Sequence, residues 1–112
     1  MIKIDIKPLS VNQAWAGKRF KTPLYKKYES LVLLMLPKKF FENRPLKIDL
    51  VFGFSSNASD IDNPIKMILD IFQKKYNLND KQIFELNVKK EIVSKGNEYF
   101  KFNIEYYDTR RN

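Results

Sequence analysis

The chain contains no cysteine and no histidine. The first absence excludes disulfides, thiol nucleophiles and cysteine-held zinc. The second excludes a Ser-His-Asp triad, the zinc-protease motifs, His-metal nucleases and any imidazole base. An enzyme made from these residues and working near neutral pH must activate its nucleophile with carboxylates, lysine, tyrosine or a hard metal ion. Long apolar runs are missing too. The longest, Leu31 to Leu36, is six residues, against the roughly 20 needed to span a bilayer. Residues 1–15 mix acidic and basic side chains among the apolar ones, so no signal peptide is expected and the expectation is a cytoplasmic protein with no membrane partner. Glycine occurs only three times in 112 residues, and no repeat or flexible linker is visible. This predicts a single domain over residues 1–107 with a short frayed tail over 108–112.

Charge is plentiful and unevenly placed. Lys+Arg number 21 against 13 Asp+Glu, a net charge of +8 with a pI near 9.6, which favours a nucleic acid or another polyanion as partner. Because 17 of those 21 cations are lysine, the ordinary alternative is a lysine-rich solvated surface. Against this background Asp60, Asp62, Asp70 and Asp80 stand within one stretch that has no glutamate. Like charges held together repel, and a bound divalent cation is the usual reason to tolerate them.

Ile2, Ile4 and Ile6 alternate with polar residues and predict a first strand. Residues 8–22 read as a polar connection. Thr22 followed by Pro23 predicts the start of a helix over about 23–36, stopped by Pro37. Leu46, Ile48, Leu50, Phe52 and Phe54 predict the second strand, and residues 55–59 a loop. A second helix over about 62–75 buries Ile61, Ile65, Ile68, Leu69 and Phe72. Pro64, lacking an N–H, belongs in its first turn, which sets the N-cap between Ile61 and Asn63. Phe84, Leu86 and Val88 predict a third strand to about Val93, and Ser94 to Asn97 has the composition of a hairpin turn. Phe100, Phe102, Ile104 and Tyr106 complete the pattern. The order β-α-β-α-β-β implies an α+β two-layer domain with one mixed sheet.

On a helix, Asp62, Lys66 and Asp70 share one face, while Asp60 lies in the loop before it and Asp80 in the loop beyond. Taken singly, each has an ordinary explanation: a cap, an i,i+4 charge ladder, a turn residue. The basic pairs Lys26-Lys27, Lys38-Lys39, Lys74-Lys75 and Lys89-Lys90 are each read first as solvated faces.

The combined pattern, Asp60-x-Asp62-Asn63-x-x-Lys66-x-x-x-Asp70 followed by Leu78-Asn79-Asp80-x-Gln82-Ile83, resembles the RusA family of Holliday junction resolvases, small phage-associated endonucleases. Pro8-x-Ser10-x-Asn12, Gly17 to Phe20, and the helix start at Thr22, Pro23, Tyr25 and Lys26 look like that family's N-terminal segment, so the resemblance covers nearly the whole chain. It implies that Asp60, Asp62 and Asp80 are metal-binding carboxylates, that Lys66 is a catalytic cation, and that Asn63 and Asp70 support them. It places Lys18, Arg19 and Lys21 near the DNA; Asn12 and Trp15 are further candidates for contact, with a place in the core as the alternative for Trp15. Many members have Asp-Asp where this chain has Asn79-Asp80. The implied cofactor is Mg²⁺, with Mn²⁺ as substitute, the implied substrate is branched DNA, and the implied assembly is a homodimer in a bacterial cell or encoded by its phage. The alternatives are a metal-dependent nuclease for another branched or single-stranded nucleic acid, or a non-catalytic DNA-binding module of the same fold.

Overall fold

A computed structural model describes residues 1–17 and 20–108. The main sheet has four strands: β1 (Ile2–Ile4), β4 (Leu46–Phe54), β5 (Ile83–Ile92) and β6 (Tyr99–Tyr106), in the spatial order β1-β6-β4-β5. Two helices, α2 (Pro23–Met35) and α3 (Ile65–Tyr76), complete the layer architecture. The α+β mixed-sheet expectation holds, with additions. Inside the stretch read as a polar connection lie a short helix α1 (Val11–Ala14) and a two-stranded ribbon of β2 (Trp15–Ala16) and β3 (Phe20–Lys21).

One expectation is overturned. β5 and β6 do not form a hairpin: β5 pairs parallel with β4, and β6 pairs antiparallel with β4 on its other side. The Ser94–Asn97 turn is real, with Asn97 N–H donating to Ser94 O at 3.0 Å, yet the chain passes beyond β4 before pairing. The physical reason is the β4-α3-β5 unit, whose helical crossover delivers β5 parallel to β4 and so occupies that flank.

Local signals account for most element boundaries. Thr22 caps α2 by accepting from the Tyr25 N–H, with Pro23 in its first turn, and the helix ends at the Leu36 C-cap just before Pro37. The N-cap of α3 is Pro64, one residue beyond the expected range, and residues 61–64 form the turn leading into it. Asn77 ends α3 in the left-handed region at φ 52°, a conformation asparagine tolerates better than branched residues.

The core lies between the helices and one face of the sheet. Ile48, Leu50, Phe52, Phe100, Phe102 and Ile104 from the sheet cluster with Tyr25, Val32, Ile68, Ile71 and Phe72 from the helices, all buried. The other face of the sheet carries charge: Lys47 lies 3.8 Å from Glu85 and 3.6 Å from Glu105, and Lys101 lies 3.7 Å from Glu91. A sheet covered on one side explains why β4 alternates cleanly at its start.

Candidate active site

The mouth of α3 collects the first group of predicted residues. Asp60 and Asp62 are exposed on the turn that leads into the helix, and Asn63 is half-buried beside them, its Nδ2 donating to Asp60 Oδ2 at 3.5 Å. Asn63 N–H donates to Asp60 O at 3.4 Å, and Ile65 N–H to Asp62 O at 3.3 Å, so the turn winds directly into the helix. No side chain caps this end, which leaves first-turn N–H groups and the positive end of the helix facing outward. A cleft of about 210 Å³ opens beside it, bordered by Asp60, Asn63, Ser59, Ser10 and Gln13.

Lys66 in the first turn of the helix and Asp70 one turn further on line a broader groove whose opposite wall is Asn12, Trp15 and Gly17. The missed helix α1 builds that wall. Its signal was in the sequence, because Ser10 and Gln13 form a capping box, the Ser-x-x-Gln pattern that marks a helix start. Thr22 Oγ donates to Gln13 O at 2.6 Å and locks α1 onto the start of α2. Beneath the groove the Trp15 and Tyr25 rings meet edge-on with centroids 5.4 Å apart. Burial, then the charges of Asp70 and Glu29, push the Tyr25 hydroxyl up to about 12, so it remains a protonated phenol.

Electrostatically these residues stand apart. Among the described residues, none of Asp60, Asp62, Asp70, Asp80 and Lys66 enters an ion pair, although seven ion pairs engage other side chains. Carboxylates left without a cation, on a protein of net charge +8, have not been neutralised from within.

Asp80 is elsewhere. It begins a 3-10 turn (Asp80–Gln82) at the far end of α3, and Gln82 Nε2 donates from that turn to Glu42 O at 3.3 Å and Arg44 O at 3.1 Å, just ahead of β4. Asp60 and Asp62 follow the other end of β4. Twelve helical residues separate the two places, about 18 Å at the helical rise. Accordingly, no three His, Cys, Asp or Glu side chains gather as a metal site among the described residues. The chain places Asp60 and Asp62 on the turn before α3 and Lys66 and Asp70 along its first two turns; it does not bring Asp80 to them.

A family model for the endodeoxyribonuclease RusA matches residues 6–101. The chain belongs to the RusA family. A search of the curated proteins finds no match. Family membership makes the chain a member of a nuclease family that acts on DNA, and the matched span includes α1, both ends of α3 and all of β5.

Within this RusA-family chain the basic residues divide. Lys18 and Arg19 lie outside the described residues. Lys21 is committed internally: its Nζ lies 2.9 Å from Glu29 Oε2, and Lys74 lies 3.1 Å from the other oxygen of the same carboxylate. Burial alone would raise the Glu29 pKa, but hydrogen bonds from Lys21 and Lys74 overcome it and hold the carboxyl below the usual range. Lys75 donates to Leu33 O at 3.0 Å at the end of α2, and Lys90 donates to carbonyls of the 57–59 loop. For these lysines the charge serves the fold. The Asn79 departure is also structural, because Asn79 caps the 3-10 turn by accepting from the Lys81 N–H while Gln82 closes the capping box.

Proposed function

We propose that this protein is a Mg²⁺-dependent endodeoxyribonuclease that resolves Holliday junctions by paired nicks, acting as a homodimer. The observation that carries the reading is the set of charges at the mouth of α3: Asp60 and Asp62 with no cationic partner among the described residues, Lys66 in the first turn of the helix, and a helix N-terminus without a side-chain cap between them. Membership of an endodeoxyribonuclease family supplies the reaction class.

The donor set fits a hard cation, since only oxygen ligands are on offer in a chain without His or Cys. Asp60, Asp62 and Asp80 would hold it, with Mn²⁺ as substitute. Bound there, the ion would acidify an attacking water and offset charge at the phosphorus. The chain's own residues do the rest. The positive end of α3 holds the scissile phosphate, Lys66 offsets charge on the leaving oxygen or on the crowded phosphorus centre, and Asn63 orients Asp60. Asn12, across the groove from Lys66 and Asp70, contacts the DNA beside the cut, with Lys18 and Arg19 as further phosphate contacts.

Since Asp80 is a helix length from Asp60 in one protomer, the ligand set is completed by the partner. β5 supports this. It is an edge strand of ten residues that leaves Phe84, Leu86 and Ile92 exposed, an apolar edge that soluble proteins normally cover. β5 starts just after Asp80 and ends level with the Phe54 end of β4. A two-fold axis through its middle would therefore set the partner's start of β5 at the sheet end that carries Asp60 and Asp62. Two such sites on one dimer suit the two-fold symmetry of a four-way junction. The test is incubation with a synthetic four-way junction with and without Mg²⁺, alongside duplex, flap and single-stranded controls at matched salt. Symmetric nicks on the junction that require the metal are expected; cleavage unchanged by EDTA, or confined to another substrate, overturns the reading.

A further inference from the structure

Lys90 anchors the loop that delivers Asp60 to the sheet. Lys90, near the C-terminal end of β5 and in register with Phe52 on β4, sends its ammonium back over the sheet end, 5.9 Å from the Phe54 ring centroid. There it donates to Asn57 O at 2.8 Å and also to Ser59 O, the residue directly before Asp60. The rest of the loop is tied mainly to itself: Ser59 N–H donates to Ser56 O and Ala58 N–H to Ser56 Oγ, both at 3.2 Å. Its base is held by Ser55 Oγ donating to Glu98 at 2.8 Å.

We propose that Lys90 is a positioning residue that sets the Asp60 carboxylate for metal binding by fixing the two loop carbonyls on either side of Ala58. The proposal rests on the reading of Asp60 as a metal ligand. An ammonium is the right group for this task, because it has three donors and no acceptor and can satisfy two convergent carbonyls at once. It also ties the loop to a strand held along its length by β4, so the loop inherits the rigidity of the sheet. Groups behind a metal ligand commonly matter almost as much as the ligand. Lysines 89 and 90 look from the sequence like one basic pair. The pleat separates them, placing Lys89 on the open face of the sheet and Lys90 on the face toward the loop.

The test compares full-length Lys90→Met, which keeps the length and apolar stem of the side chain but no donor, with Lys90→Arg. Three quantities are read: Mn²⁺ binding by calorimetry, backbone amide exchange at residues 57–60, and metal-free junction affinity by gel shift. In Lys90→Met we expect Mn²⁺ affinity to fall about tenfold and exchange at 57–60 to quicken. Metal-free junction affinity is expected to stay within about twofold, the effect of at most one lost phosphate contact. Lys90→Arg is expected to restore most of the metal affinity. Unchanged Mn²⁺ binding in Lys90→Met overturns the proposal, even if exchange quickens, since Lys90 would then be a tether without influence on the ligand. An Asp60→Asn chain that binds Mn²⁺ like its parent overturns the reading of Asp60 as well. Loss of binding in Asp60→Asn with full binding in Lys90→Met sinks the Lys90 proposal alone.

Discussion

At its C-terminal end α3 is closed at almost every polar group. Asn77 in the left-handed region turns its N–H back to Gln73 O, Leu78 N–H follows to the same carbonyl at 3.0 Å, and the Asn79–Gln82 capping box seats the next turn against Glu42 and Arg44. Tyr76 Oη donates to Pro37 O at 2.8 Å and Lys75 to Leu33 O at 3.0 Å. At the N-terminal end there is no side-chain cap, two exposed aspartates have no ion-pair partner among the described residues, and the loop is braced from outside by Lys90. The first end spends its polar groups on holding the fold. The second leaves its helix terminus without such a side-chain partner among the described residues. Asp80 breaks the symmetry of this contrast, because it is an exposed carboxylate, with no ion pair among the described residues, set on the closed end.

The most severe way to break the comparison is to neutralise the carboxylates at each end. Asp60→Asn, Asp62→Asn and Asp80→Asn are each expected to lower junction nicking on the order of 10³-fold while gel-shift binding survives. Mixing Asp62→Asn with Asp80→Asn sharpens it further. A site shared between protomers leaves one intact copy in each mixed dimer and restores single nicks, whereas a site confined to one protomer stays inactive in the mixture. Retained cleavage in all three single variants would falsify the assignment.

Lys66→Ala is expected to lower the nicking rate about 10²-fold with little change in junction affinity, as for removal of one electrostatic stabiliser of the transition state. Equal losses in rate and binding would make it a simple phosphate contact.

Two variants address stability without touching a charged group at either end of α3. A methyl group added at Gly53 would lie 2.7 Å from the Tyr99 ring carbons, and that ring is tethered by the Tyr99 hydroxyl to Glu91. Gly53→Ala is therefore expected to cost about 1–3 kcal/mol in denaturant unfolding, without a specific effect on metal dependence. Asn77→Ala places a Cβ residue in the left-handed region without asparagine's local hydrogen bonding, and should cost about 1 kcal/mol, read as a lower thermal midpoint.

The smallest effect concerns the Lys21–Glu29–Lys74 tie, in which Glu29 is largely buried. The folded pKa of Glu29 is depressed, so its contribution is present above the ordinary glutamate range and is lost as pH falls through the lowered folded value. Glu29→Gln should remove below about 1 kcal/mol near neutrality and flatten the acid side of the stability profile. An identical acid slope in the variant would show that the tie contributes nothing.

Much of the fold was legible because its signals are local. The Thr22-Pro23 start of α2, the alternation through β4 and the apolar stripe of α3 each reside within one element, where period and capping chemistry suffice. The α1 helix and the β2–β3 ribbon were not read, since four-residue and two-residue elements offer too little periodicity, even with the Ser10–Gln13 box in view. The hairpin reading of β5 and β6 went astray for a different cause. Ser94 to Asn97 say where the chain turns, but a turn does not say which strand already occupies the neighbouring edge.

By itself, the sequence determined the chemistry open to this protein: oxygen ligands only, no imidazole, a cationic surface, and an aspartate-lysine pattern around one helix start. Those are properties of residue type and spacing, which folding does not alter. Tertiary structure decided what the pattern could do within one protomer. Asp60 and Asp62 stay on the turn that leads into α3 and Lys66 follows in its first turn, while Asp80 is carried to the far end because a 12-residue helix spans about 18 Å. The same structure decided the fate of the lysines. Lys21, Lys74, Lys75 and Lys90 are drawn to acceptors that only folding brings within reach, whereas Lys66 enters no ion pair among the described residues.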